Sequence, residues 1–298
     1  MGSLEPGIHD GKSLPFVSAT DYHSCTDRIS RSQLWTLHSR SPAHLKAELD
    51  NPSPPTRAML RGAALHTAIL EPERFAASYC WLEDEIDRRT KDGKARWADF
   101  KAKAAADGKE ILGWDEAEGK FYRSDVDVVL SMQAKLAREP LLRSVLSQGR
   151  GACEATYCWD EETAKLRCRF DRLNLTSNGW VSIDLKGVSD ARHSAFQRSI
   201  VTYGLHFQAA MYSDGFEALR GEKLISWVYL AYETEPPYEF AFYVADNSIL
   251  ELGRELYRKA LGDLLECQRS GVWPGFSARG LQSIGLPMWY VREHPNHE

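Results

Sequence analysis

The stretch from Lys165 to Val188, KLRCRFDRLNLTSNGWVSIDLKGV, limits what this chain can fold into more than any other. Its period-2 alternation predicts two strands closed into a hairpin by the polar turn Thr176-Ser177-Asn178-Gly179. Each strand carries one acid among apolar neighbours, Asp171 in Arg-Phe-Asp-Arg-Leu and Asp184 in Ile-Asp-Leu-Lys. A carboxylate buried without compensation costs several kcal/mol or shifts its pKa, so something must offset it. Lys186 lies two residues beyond Asp184 and projects from the same strand face. Closing the hairpin brings Asp171 alongside Asp184. Two carboxylates and an ammonium then converge, and hard oxygen ligands of this kind suit Mg²⁺ or Mn²⁺. The plain structural alternative is a cross-strand ion pair from Asp184 to Arg169 or Arg172.

The chain has 298 residues, enough to bury a full core, and its 43% hydrophobic content is that of a soluble globular protein. It holds no apolar run near a membrane span and no secretory signal, which places it in the cytoplasm with no membrane partner. The six cysteines have no CxxC or metal-ligand spacing and are expected to be reduced, apolar fillers. A net charge of −5 argues against a nucleic-acid coat. It leaves room for a nuclease that keeps its positive charge in one channel.

In chain order, residues 1–22 lack a sustained period and are expected to form an arm or a partly disordered, flexible leader. Ser30 and Gln33 form a capping-box signature for a helix that stops before Pro42. A second helix over about 43–50 ends in the turn Asn51-Pro52-Ser53-Pro54-Pro55. Met59–Pro72 is apolar nearly all round and predicts a buried helix, with Gly62, Ala63 and Ala64 admitting a close neighbour. His66 is its polar outlier: a satisfied core histidine unless the carboxylate pair lies within reach. The basic run Arg88-Arg89-Thr90-Lys91-Asp92-Gly93-Lys94 beside Trp97 is either a phosphate grip or a solvated helix face. A helix is expected over about 115–147, broken at Pro140, with Val126, Val129, Leu130 and Leu136 as its apolar stripe. Strands are expected at 154–159, 165–173, 180–186, 223–232 and 238–244, and helices at about 191–200, 206–219 and 247–269.

This ordered set, with Asp171 in one strand, Asp184-x-Lys186 in the next and helices following, resembles the PD-(D/E)XK nuclease superfamily. Gln208-Ala209-Ala210-Met211-Tyr212 resembles the Q-x-x-x-Y element of its RecB-like branch, and Gly62-x-x-x-His66 its histidine-bearing helix. Ile29–Leu34, Leu65–Pro72, Arg88–Lys94, Tyr212-Ser213-Asp214-Gly215 and Trp273-Pro274 are similar to the exonuclease VIII (RecE-type) catalytic domain. The resemblance implies an α/β fold with a central mixed sheet flanked by helices and an N-terminal helical extension. After the leader it implies one domain over 23–298: a mainly helical part (23–150), a nuclease core (151–270) and a tail (271–298).

It also implies that His66, Asp171, Asp184 and the main-chain carbonyl of Leu185 bind Mg²⁺, with Mn²⁺ able to substitute and Glu154 as an outer or second-metal contact. Lys186 would act on the attacking water, and Gln208 and Tyr212 would position substrate or Lys186. No iron-sulfur cluster is expected, since only Cys267 follows the Q-x-x-x-Y element. The implied activity is 5′ to 3′ degradation of one strand of linear duplex DNA. The implied partners are duplex ends, a RecT-type single-strand annealing protein and further copies of the chain in a tetrameric ring. Arg88, Arg89, Lys91 and Lys94 become candidate DNA contacts. Two other readings are a catalytically silent DNA-binding scaffold and a carboxylate-pair hydrolase such as a glycosidase, which would need no lysine or histidine.

Overall fold

The computed structural model describes residues 3–53, 56–84, 86–116, 118–147 and 150–293. Its centre is a seven-stranded mixed sheet. The strands are β1 (Gly7–His9), β2 (Ile29–Ser30), β3 (Arg150–Glu161), β4 (Ala164–Thr176), β5 (Gly179–Val188), β6 (Leu224–Glu233) and β7 (Phe240–Val244). The order across the sheet is β1-β3-β4-β5-β6-β7, with the two-residue β2 joined to β4. The β3-β4-β5 meander is antiparallel, β6 runs parallel to β5, and β7 returns antiparallel along β6. The hairpin closes where the sequence predicts, with Thr176 paired to Gly179.

The sheet carries a core on each face. Residues alternate between them along the central strands: Ile183, Leu185, Leu230 and Tyr232 face one, and Trp227, Tyr229 and Ala231 the other. Burial on both sides is the normal state of a strand in a parallel pair. The first core is covered by α3 (Arg57–Leu70) and α5 (Arg123–Arg138). The second is covered by α1 (Arg31–Ser39), α6 (His193–Thr202), α7 (Leu205–Arg220) and α8 (Asn247–Ser270). The helix predicted to end before Pro42 is α1, and it carries the full capping box of Ser30 and Gln33. Pro42 then opens α2 (Pro42–Asp50), where its fixed φ and missing N–H cost nothing. Pro54 and Pro55, predicted within the turn after α2, lie outside the described residues, as does the Leu136 side chain.

Three expectations are corrected. Gly7–His9, inside the supposed flexible leader, pairs with Thr156–Cys158 as an edge strand. Val17, Tyr22 and Cys25 behind it are buried, and the guanidiniums of Arg169 and Arg167 donate to the carbonyls of Val17 and Cys25. The anchoring charges come from a strand about 150 residues away, which a local pattern does not reveal. Second, α3 is not buried all round: Met59 and Leu60 are exposed, and among the described residues no other part of the chain closes on Gly62. Third, the helix expected from 115 begins at Arg123, after the short ribbon of Trp114–Asp115 and Lys120–Phe121.

Candidate active site

The β4-β5 ladder runs from Thr176↔Gly179 to Arg172↔Ile183 and stops one pair short of Asp171 and Asp184. There the strands part, and a side chain replaces the backbone bond: the Leu185 N–H donates to Asp171 Oδ2 at 2.7 Å. Strand geometry turns the Leu185 carbonyl to that same edge. The two acids predicted to lie side by side thus flank a gap in the sheet.

Glu154 reaches the gap from β3. Its neighbours pair regularly, Cys153 with Arg172 and Ala155 with Phe170, while Glu154 itself has φ +50°. A non-glycine residue in the left-handed region costs about 1–3 kcal/mol, and such positions cluster at functional sites. The distortion turns its carboxylate towards α3, where His66 lies. His66 Nδ1 is 3.5 Å from Asp171 Oδ1 and 3.8 Å from Glu154 Oε1. The second Glu154 oxygen is 2.8 Å from Arg169 Nε, an ion pair that takes Arg169 away from the alternative of pairing with Asp184. Arg172 is likewise engaged, donating to Asn174 Oδ1 and Cys153 Sγ.

Asp184 is held on the other side of the sheet's edge. Its side chain is 3% exposed, its Oδ1 accepts from Gln208 Nε2 at 2.7 Å and its Oδ2 lies 2.7 Å from Lys186 Nζ. Gln208 and Tyr212 stand one turn apart on α7. Gln208 bonds the acid, whereas the Tyr212 ring packs edge-on against Phe170 and Trp227.

The donors therefore fall into two groups. His66, Glu154 and Asp171 each offer a ligand atom, all within 4.8 Å of one another. Asp184 sits beside them with both oxygens engaged, by Lys186 and Gln208. The cluster fits a divalent cation: it offers two carboxylates and an imidazole, and Glu154 Oε1 is buried with no hydrogen-bond partner among the described residues. Electrostatics point the same way. Burial alone would press the His66 imidazolium down, but Asp171 and Glu154 outweigh it and raise His66 from 6.5 to about 9. Burial and the neighbouring Asp184 charge hold the Asp171 carboxyl above its ordinary range. The site pulls in a positive charge.

The basic run behaves differently. Arg88 lies over the Trp97 and Trp114 rings and donates to the Gly119 carbonyl, and Arg89 folds onto Asp87. Lys91 and Lys94 stand exposed in the first turn of α4 (Lys91–Ala106), which Thr90 caps.

Two residues at the site escape a sequence reading. The Arg169 ion pair to Glu154 needs the β3-β4 register and the irregular φ, which leave no local pattern. Arg31, read only as the first residue of a capped helix, donates to the carbonyls of Tyr203 and Gly204. Burial lowers its pKa against the opposing pull of Tyr212 and Asp184.

No curated protein matches this sequence. A crystal structure described as a "Putative exonuclease" from Eubacterium rectale superposes with a TM-score of 0.59 at 12% identity, covering 94% of this chain and 98% of that one. At that identity the likeness speaks for the fold. A structure of SSO0001 aligns over 67% of this chain and 87% of its own at 12% identity, with a TM-score of 0.25. The family model of the PDDEXK-like domain of unknown function (DUF3799) matches residues 30–279. That span runs from the capping box of α1 past the end of α8, and the chain belongs to this family, with the fold of the PD-(D/E)XK nucleases.

Proposed function

We propose that the protein is a divalent-metal-dependent exodeoxyribonuclease that degrades one strand of linear duplex DNA from the 5′ end. The observation that carries the nuclease reading is the ligand trio of His66, Glu154 and Asp171 beside an ammonium, Lys186, fixed by the buried Asp184. A glycosidase needs two carboxylates alone and gives no reason for the lysine or the histidine. A scaffold without activity has no use for three donor atoms, one imidazole and two carboxylate, gathered within 4.8 Å.

In this reading His66, Glu154 and Asp171 hold the cation, Mg²⁺ or Mn²⁺, with the Leu185 carbonyl on the same edge and Asp184 adjoining them. When bound, such an ion acidifies water and withdraws charge from a phosphoryl oxygen. Lys186 orients the attacking water and stabilises charge developing on the phosphate. Asp184 holds the Lys186 ammonium in place, and Gln208 fixes Asp184. The backbone bond from Leu185 keeps Asp171 from swinging out of the gap. The 5′ to 3′ direction, a tetrameric ring, a RecT-type annealing partner for the resulting 3′ tails and a cytoplasmic location follow from the resemblance to exonuclease VIII. No helix among the described residues is long and apolar enough to cross a membrane.

The test is digestion of a linear duplex labelled separately at its 5′ and 3′ ends, with Mg²⁺ or EDTA, by wild type and Asp184→Ala. Early metal-dependent release of the 5′ label, lost in the variant, is expected. Release of neither label with Mg²⁺ or Mn²⁺ would move the silent-scaffold reading to the front.

A further inference from the structure

A second concavity begins where the metal-ligand cluster ends. It is a cleft of about 750 Å³ lined by Ile69, Leu70, Pro140, Arg143, Leu146 and Arg172, together with Ser144. Its walls are continuous with the site's own elements. Ile69 and Leu70 stand one turn beyond His66 on α3. Arg172 follows Asp171 on β4 and donates to the Sγ of Cys153, the residue before Glu154, at 3.2 Å. The Cys153 thiol in turn approaches the Leu70 carbonyl at 3.7 Å. The opposite wall is the helix Pro140–Ser147, from which Arg143 is exposed.

We infer that this cleft seats the phosphodiester backbone of the DNA strand that is being cut. The inference rests on the nuclease reading and says where the strand lies. A single nucleic-acid strand needs a groove with positive charge for its phosphates and apolar surface beside them. The cleft supplies guanidiniums from both walls, Arg143 and Arg172, over an aliphatic floor. Among the described residues two of the Arg172 N–H groups are used, by Asn174 and Cys153, from a fork that offers five. Arg172 lines the cleft together with Ile69 and Leu70, which follow His66 by one turn on α3, so a phosphate held there lies on the His66 side of the sheet, next to the ligand cluster. The groove also accounts for how an acidic chain holds DNA: the charge is local to the site.

The experiment measures binding of a fluorescein-labelled single-stranded DNA oligonucleotide by anisotropy, in EDTA, across a salt titration. Arg143 is the residue to change, because Arg172 also ties β4 to β3. Arg143→Glu is expected to weaken binding about tenfold, and Arg143→Ala to reduce the slope of log affinity against log salt by about 0.7, one phosphate contact on a single strand. Arg143→Lys should restore the slope. A purely structural arginine would leave the slope unchanged. Digestion of duplex DNA by wild type with Mg²⁺ and Mn²⁺ is run in parallel. If wild type digests while Arg143→Ala and Arg143→Glu keep wild-type affinity and slope, the cleft assignment is wrong and the nuclease reading stands. If wild type digests no DNA, the nuclease reading falls and takes this inference with it.

Discussion

Asp125 and Asp171 are both carboxylates withdrawn from solvent, and their surroundings are opposite. Asp125, in the first turn of α5, is 3% exposed and saturated with positive charge. Arg57 grips it with Nε at 2.7 Å and Nη2 at 3.0 Å, and Arg61 adds a contact at 3.3 Å. The Arg57 guanidinium lies 3.4 Å over the Tyr122 ring. Asp171 faces Glu154 and Asp184, two further acids, with His66 as the nearest cation. A buried acid met by guanidiniums holds helices together; a buried acid met by other acids holds a place for something the chain does not supply. In this molecule the first kind serves the second, since Asp125 fastens the start of α3 to α5 and α3 presents His66.

The same isosteric substitution at the two positions should therefore separate stability from catalysis. Asp171→Asn removes a ligand and should lower DNA cleavage by about a hundred- to a thousandfold, the scale of losing one preorganised group at a reacting centre. It also removes a charge that its neighbours disfavour, so urea unfolding in EDTA should show stability equal to wild type or higher. A marked loss of stability in Asp171→Asn would mean that this acid is structural too, and the contrast would collapse.

Asp125→Asn should do the reverse. Breaking a buried pair costs about 3–5 kcal/mol when the charge left behind is buried; Arg57 and Arg61 stay about a third exposed, so the loss here should be about 1–3 kcal/mol. That loss should appear in the urea midpoint, while protein kept folded at low temperature still cleaves DNA in a metal-dependent way. Loss of cleavage at full folding would instead make the Asp125 contact part of the machinery that aims His66.

The contrast also marks what a sequence reading can reach. The hairpin was legible because alternation, a polar turn and two misplaced acids all lie within 24 consecutive residues. Gln208 and Tyr212 share a helix face by spacing alone, although only Gln208 touches Asp184. The capping box at Ser30 was equally local. What stayed hidden depends on contacts between distant segments. Glu154, named in the sequence through the resemblance alone, takes its place in the trio through a left-handed φ in mid-strand, and Arg169 joins it through strand register. Arg88 is fixed over Trp114 and onto the Gly119 carbonyl, contacts across 26 and 31 residues that the basic run itself does not announce. The docked arm before Cys25 was invisible because its binding charges lie on β4.

The finest test of the contrast is titration of the metal-free protein. Burial opposes a charge on His66, and Asp171 and Glu154 overcome it, so its folded pKa is raised from 6.5 to about 9. A raised histidine pKa means that the folded state binds the proton more tightly than the unfolded chain does. The stability this contributes is complete below about 6.5 and disappears as pH rises through about 9. The elevated Asp171 acts in the acidic range, between its ordinary and folded values, and leaves the window from pH 7 to 9 to His66. In EDTA, unfolding free energy should fall across that window by about 1–2 kcal/mol, below the ~2.2 kcal/mol that the full shift gives between pH 7 and 9 because the imidazole is partly solvated. A saturating divalent ion replaces the proton as the positive charge between the carboxylates, so the decline should flatten when Mg²⁺ or Mn²⁺ is added. His66→Asn should flatten it in EDTA as well. An equal decline in His66→Asn would show that the proton sits elsewhere, and that the trio does not demand a cation in the way that separates it from Asp125.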